Sequence, residues 1–239
     1  LDCLAILIVS ICIQIFAIIS SKYFYPKTDE KKLPVLRYAT IVSNAGFMGN
    51  PIAEGLYGSQ GLLYASIYLI PLRAVMWSYG VTCFTGIRGK GVLKKILTHP
   101  CIVAVFLGII LMMTQITLPA GLEQTLRYAG NANTALSMIV IGNILAEVKA
   151  SEIFDLKAWW YCLVRLCIIP ALVFICCHFA GIDEMVKQVS VVLSAMPAAA
   201  TTAILASKYD GDAHFAAKII FLSTLLSMIS VPLLCILMN

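Results

Sequence analysis

Apolar runs of about twenty residues alternate with short polar turns along the whole chain, and this pattern predicts about eight membrane-crossing helices. They are expected near residues 1–20, 38–57, 62–84, 97–116, 126–146, 159–180, 185–207 and 213–238. The stretch LAILIVSICIQIFAII, residues 4–19, is apolar at both odd and even positions. A membrane barrel would instead show segments of about ten residues with alternating polarity. Helices are therefore expected, not strands.

Two of the eight runs make poor helices. The second reads SNAGFMGNPIAEGLYG, with Gly46, Gly49 and Pro51 near mid-membrane, and the seventh reads SAMPAAATTAILASKYDGD, with Pro197 in its middle. Proline removes an amide donor and clashes with the preceding turn. Backbone left unpaired at bilayer depth survives only where buried protein or a water-filled cavity satisfies it. Each poor run follows a straight apolar span and precedes a short polar turn, residues 57–61 or 209–212, and then a long helix carrying Pro71 or Pro232. The first three spans thus repeat as the last three. Corresponding members are five spans apart, so the two units enter the membrane in opposite senses. Inverted repeats with matched broken helices mark a secondary transporter whose site lies at the midplane, and the two breaks are expected close together.

Composition agrees with this frame. At 61% hydrophobic and 12% charged residues, against about 45–50% and about 25% in soluble domains, a water-soluble fold is excluded. The 17 Lys and Arg residues outnumber the 12 Asp and Glu. All but Arg73, Arg127, Arg165 and Lys187 fall in or beside the loops after the first, third, fifth and seventh spans. The positive-inside rule then makes those loops cytoplasmic, including the basic residues 86–99, and puts both chain ends outside. The basic excess is spent on orientation, so no nucleic-acid partner is expected. Nine cysteines lie mostly within apolar runs without regular spacing to histidine, and are read as packing residues with no metal site. The chain opens at Leu1 and Asp2, with neither an initiator methionine nor a charged segment before the apolar run, and is read as truncated at its N-terminal end.

The stretches SNAGFMGNPIAEGLYGSQG, His99-Pro100 to Leu118-Pro119, RLCIIP, AMPAAATTAILASKYDGD and FLSTLLSMISVP, in this order and spacing, resemble the auxin efflux carrier family, which includes bacterial malate and malonate permeases and plant PIN proteins. The resemblance covers nearly the whole chain. It implies an all-α integral membrane fold, an inverted-repeat secondary transporter with two proline-broken crossover helices. About eight of an expected ten helices would be present. It further implies first-repeat transport-domain helices and a cytoplasmic loop in residues 1–96, a partial scaffold of two spans in 97–150, and second-repeat transport-domain helices in 151–239. The crossing would fall at the two prolines.

Half-helix N-termini carry free amides and a favourable dipole for anions, so a small organic anion such as a carboxylate is the expected substrate. The candidate contacts are Asn44, Gly49, Asn50 and Pro51 at the first break and Met196, Pro197 and Ala198 at the second. Asn44 and Asn50 either touch substrate or hydrogen-bond the broken backbone. Arg165, in the RLCIIP motif about 9 Å from the cytoplasmic face at 1.5 Å per residue, is a further candidate, expected to draw anions in at the cytoplasmic mouth. Arg73 lies nearer mid-span but matches the family less well. Asn131 and Asn133 could line the same cavity or join helices, and Glu54 could serve as a proton or gate residue.

No Walker loop, zinc pair or nucleophile elbow occurs, so neither ATP-driven pumping nor an enzyme is expected. The acids of residues 209–212 share one turn and cannot form a dyad across two helices. No cofactor is expected, the coupling ion being open between proton and sodium. Membrane lipid surrounds the chain, and the scaffold leaves room for a homodimer. The reading is a multi-pass carrier of the cytoplasmic membrane working by alternating access. Its alternatives are a sodium-coupled symporter of the bile-acid type and a membrane receptor.

Overall fold

The computed structural model describes residues 2–85, 103–104, 107–108, 110–111, 114–129, 132, 136, 139 and 154–238. Its helices carry their polarity inside out. α1 (Asp2–Ser20) buries Ser10 and Gln14 while exposing Leu4, Ile8, Ile11, Ile15 and Ile19. Water would impose the opposite arrangement; hydrocarbon outside and helix-to-helix hydrogen bonds inside produce this one. Ser10 Oγ donates to the Tyr68 carbonyl at 2.6 Å. α9 (Ala213–Met238) repeats the pattern, burying Ser223 and Ser227 and exposing Leu225, Met228, Ile229, Leu233 and Ile236.

Among the described residues, four helical stretches are long and apolar enough to cross a membrane: Asp2–Ser20, Ala45–Thr85, Leu156–Phe179 and Ala213–Met238. The protein is thus an all-helical integral membrane protein. Two helical stretches are interrupted. α2 (Lys32–Ile41) runs into non-helical residues 42–44, after which a π-helical turn, Ala45–Gly49, leads into α3 (Asn50–Val75). α7 (Glu184–Ser194) gives way to non-helical residues 195–200 before α8 (Thr201–Lys208). Gly58, at φ +65°, turns the chain inside α3, where a side chain would be strained. α2 begins six residues ahead of the expected start of the second span, because its first turns leave the apolar layer for the ion pairs described below.

Prolines shape the rest. The π turns Ala45–Gly49 and Val164–Ile168 lie just ahead of Pro51 and Pro170, and a third, Met76–Gly80, joins α3 to α4 (Val81–Thr85). A proline cannot donate to the carbonyl four residues back and its ring crowds that carbonyl; a widened turn relieves both without breaking the helix. The Val164–Ile168 turn links α5 (Leu156–Leu163) to α6 (Ile169–Phe179).

Two cores result. Ile6, Tyr68, Leu72, Ile169, Val192 and Leu193 bind α1, α3, α6 and α7. Leu36, Tyr161, Ala206, Phe215 and Ile219 bind α2, α5, α8 and α9. Between them, Tyr38, Ile41, Val42, Ala199 and Leu205 cluster around the interruptions.

One end of the molecule gathers charge: Lys31 with Asp210 at 3.8 Å, Lys32 with Asp155 at 3.1 Å, and Lys157 with Asp29 at 3.6 Å. Burial pushes the Asp155 carboxyl up, but hydrogen bonds from Lys32 Nζ and the Lys157 amide outweigh it and hold the group below its usual range. At the same end Tyr23, Phe24, Tyr25, Trp159 and Trp160 line a groove of about 790 Å³, the composition of a membrane–water interface. The basic loop at residues 86–99 and most of the expected fourth and fifth spans lie outside the described residues.

Candidate functional site

At the crossing, the two interruptions meet back to back. Ser43 and Ala198 form an antiparallel bridge, and the Asn44 amide donates to the Pro197 carbonyl at 2.8 Å. The Ala198 amide in turn donates to Ser223 Oγ on α9 at 3.2 Å. Two helix C-terminal ends (α2 and α7) and two N-terminal ends (the Ala45 turn and α8) therefore converge in one place.

A helix that stops inside a membrane strands its last carbonyls, and here other elements supply the donors. In α2 the Ala39 carbonyl accepts from Tyr161 Oη at 3.1 Å and the Thr40 carbonyl from Arg165 Nη1 at 2.9 Å, while the Tyr38 carbonyl keeps its bond from the helix's own Val42 amide at 2.8 Å. Arg165 Nε also donates to the Met196 carbonyl at 3.0 Å. One guanidinium thus joins the two interrupted helices, with its charge at the negative ends of both dipoles. Its side chain leaves from the π turn ahead of Pro170.

This corrects the expected place of Arg165. It does not line an aqueous mouth: it is only 3% exposed. A buried cation needs hydrogen-bond partners, and the two stranded carbonyls accept from Nε and Nη1.

Pro51 is corrected too. The first break falls at residues 42–44, well ahead of it, and Pro51 sits exposed in the first turn of α3, because the π turn absorbs its missing amide. The other candidates converge. Gly49 lies so close to α7 that a Cβ there would stand 2.5 Å from Leu193 Cδ2 and 3.3 Å from Met196 Cγ. Met196, Pro197 and Ala198 are buried. Asn44 is 6% exposed, and its Oδ1, like that of Asn50, is buried with no hydrogen-bond partner among the described residues. Glu54 is exposed, while Asn131 and Asn133 lie outside the described residues.

Several contributors escaped the sequence reading. Thr40 lies in the last turn of α2 and Ser43 in the break itself, Tyr161 and Ser223 reach the site from α5 and α9, and Tyr38 Oη donates to Thr201 Oγ1 at 3.0 Å across it. Lone serines and tyrosines inside strongly apolar helices were the available signal, since such groups need a partner in hydrocarbon. Arg73, which the sequence set behind Arg165, stands with Nη2 3.8 Å from where a Cβ on Gly46 would lie.

Comparison with known proteins gives a consistent picture. A family model described as membrane transport protein matches residues 1–93 and 87–235. The chain is 29% identical over 229 residues to an uncharacterized transporter of Methanocaldococcus jannaschii, covering 92% of this chain and 73% of that relative. It is 30% identical over 209 residues to an uncharacterized transporter of Methanothermobacter thermautotrophicus, covering 86% of this chain and 68% of that relative.

Proposed function

Since the chain belongs to the membrane transport protein family, that of the auxin efflux carriers, we propose that it is a secondary carrier moving a small organic anion, such as a carboxylate, across the cytoplasmic membrane by alternating access. The observation that carries this reading is the back-to-back crossing of two interrupted helices, with the Asn44 amide bonded to the Pro197 carbonyl. Two helix N-termini converge there, and the negative C-termini beside them are already neutralised by Arg165. What is left favours an anion.

In this reading the helices of residues 1–96 and 151–239 are inverted repeats that move as one body past a scaffold containing residues 97–150. The charged end with its aromatic groove faces the cytoplasm, by the rule that loop lysines and arginines stay inside. Asn44, Gly49, Asn50, Met196, Pro197 and Ala198 surround the substrate, while Arg165 holds the crossing together. The scaffold is the surface for a homodimer.

A sodium-coupled symport mechanism draws on the buried side-chain oxygens of Ser43, Asn44 and Thr202, which lack partners among the described residues. The purified full-length protein in proteoliposomes tests both. Counterflow of labelled mono- and dicarboxylates is expected without an imposed sodium gradient. Counterflow that requires sodium moves the reading to the symporter, and binding without any flux moves it to a receptor.

A further inference from the structure

Arg73 is a second membrane arginine, and nothing in the crossing uses it. It lies about 22 Å along the helix from the Gly58 turn and about 18 Å from Thr85, at 1.5 Å per residue, too deep for its side chain to reach either surface. None of the ion pairs among the described residues involves it, and it is exposed on an open face. A charge at such depth is costly and is kept where it has a partner. Its guanidinium stands over Gly46, the second residue of the π turn that leaves the crossing, with Nη2 3.8 Å from the position a Cβ would take. Gly46 is itself partly open and has no side chain to shield the first-turn amides. The residue capping that turn, Asn44, makes no side-chain capping bond; its buried Oδ1 has no partner among the described residues, and the amide turned over would present its Nδ2 donor there instead.

Resting on the anion-carrier reading, we propose that Arg73 is the residue that recognises the carboxylate. It closes a pocket whose other wall is the bare first turn at Gly46 and whose edge is Asn44. A guanidinium offers a planar pair of donors that matches a carboxylate, and a substrate carboxylate supplies the counter-charge that the described protein does not.

The test measures preference, not overall activity. Lactate, succinate and benzoate are each compared with the corresponding amide as competitors in counterflow by the full-length protein, using wild type, Arg73→Gln, Arg73→Lys and Gly46→Leu. Wild type is expected to prefer at least one carboxylate by about tenfold or more, the scale of a charge-assisted contact. Arg73→Gln should bring that ratio close to one with its unfolding temperature unchanged, and Arg73→Lys should keep part of it. Gly46→Leu, which fills the space beneath the guanidinium, should also lose the preference. An Arg73→Gln variant that keeps the wild-type ratio overturns the role of Arg73 and leaves the anion carrier standing. If Arg73→Gln does not fold, a wild-type ratio in Gly46→Leu overturns it instead. A wild type that prefers no carboxylate over its amide removes the anion reading itself.

Discussion

The two interrupted helices perform the same manoeuvre in different surroundings. The second, residues 195–200, is built from methionine, proline and alanines and is buried on every side. Its stranded groups are answered from within: the Met196 carbonyl by Arg165, the Pro197 carbonyl by Asn44, and the Ala198 amide by Ser223. The first, residues 42–44, has its carbonyl side closed just as fully by Tyr161 and Arg165. Its amide side opens instead onto Gly46, beside asparagine oxygens without a partner among the described residues and the guanidinium of Arg73, which joins none of the ion pairs among them. Two breaks of similar geometry therefore divide the labour. One has its backbone groups closed off within the protein, and the other, in the proposed reading, keeps polar groups for a ligand. The same contrast separates the two arginines, for Arg165 gives Nε and Nη1 to backbone carbonyls and Arg73 joins none of the ion pairs among the described residues.

The largest effect that could break this comparison is on Arg165. Arg165→Met strands the Thr40 and Met196 carbonyls in the interior, and is expected to cost about 2–6 kcal/mol, from about 1–3 for each orphaned group. Unfolding of the purified variant in detergent measures it. Arg73→Gln should be nearly neutral in the same assay, and equal losses at the two positions would erase the distinction between them.

Next in size is the glycine pair. Gly49→Val drives a side chain into Leu193 and Met196 and should destabilise by about 1–3 kcal/mol. Gly46→Ala meets nothing closer than 3.8 Å and should leave stability unchanged. A destabilised Gly46→Ala variant would mean that the open turn is in fact closely packed.

A smaller change is expected in affinity. Asn44→Ala and Asn50→Ala remove side chains that make no capping bond to the helix, so each should weaken binding of a transported anion by about 0.5–1.5 kcal/mol, the net worth of one hydrogen bond. Calorimetry against the preferred carboxylate reads this, and the unfolding temperature should stay put. Loss of stability without loss of affinity would assign both asparagines to the backbone.

The smallest effect lies far from the crossing, at the charged end. Asp155 is held below its ordinary carboxylate range in the folded chain, so it binds fewer protons folded than unfolded. Its contribution is complete above the unfolded value of about 3.9 and disappears as pH falls through the lower, folded value. Asp155→Asn should therefore show a flatter loss of stability than wild type between about pH 5 and pH 3, with carboxylate preference untouched. A change in preference would couple this end to the site.

Much of this protein is legible without coordinates. Apolar run length and composition specify membrane helices, and the glycines and proline of the second run and Pro197 in the seventh mark them as poor helices. Both follow from local rules: hydrocarbon thickness sets the run, and a proline without an amide disturbs its own turn. Where the first interruption falls is not a local matter. A missing amide at Pro51 is absorbed by widening one turn, so the proline does not have to sit at the break. The helix can stop at Ile41 because hydrogen-bond partners wait there from elsewhere in the chain: Tyr161 and Arg165 as donors to its carbonyls, and the Pro197 carbonyl as acceptor for the Asn44 amide. Hydrogen bonds between residues more than a hundred positions apart leave no periodicity in a single sequence. For the same reason the sequence could place Arg165 and Arg73 within membrane helices, but only tertiary neighbours decided that the Arg165 guanidinium binds backbone while that of Arg73 stands over Gly46.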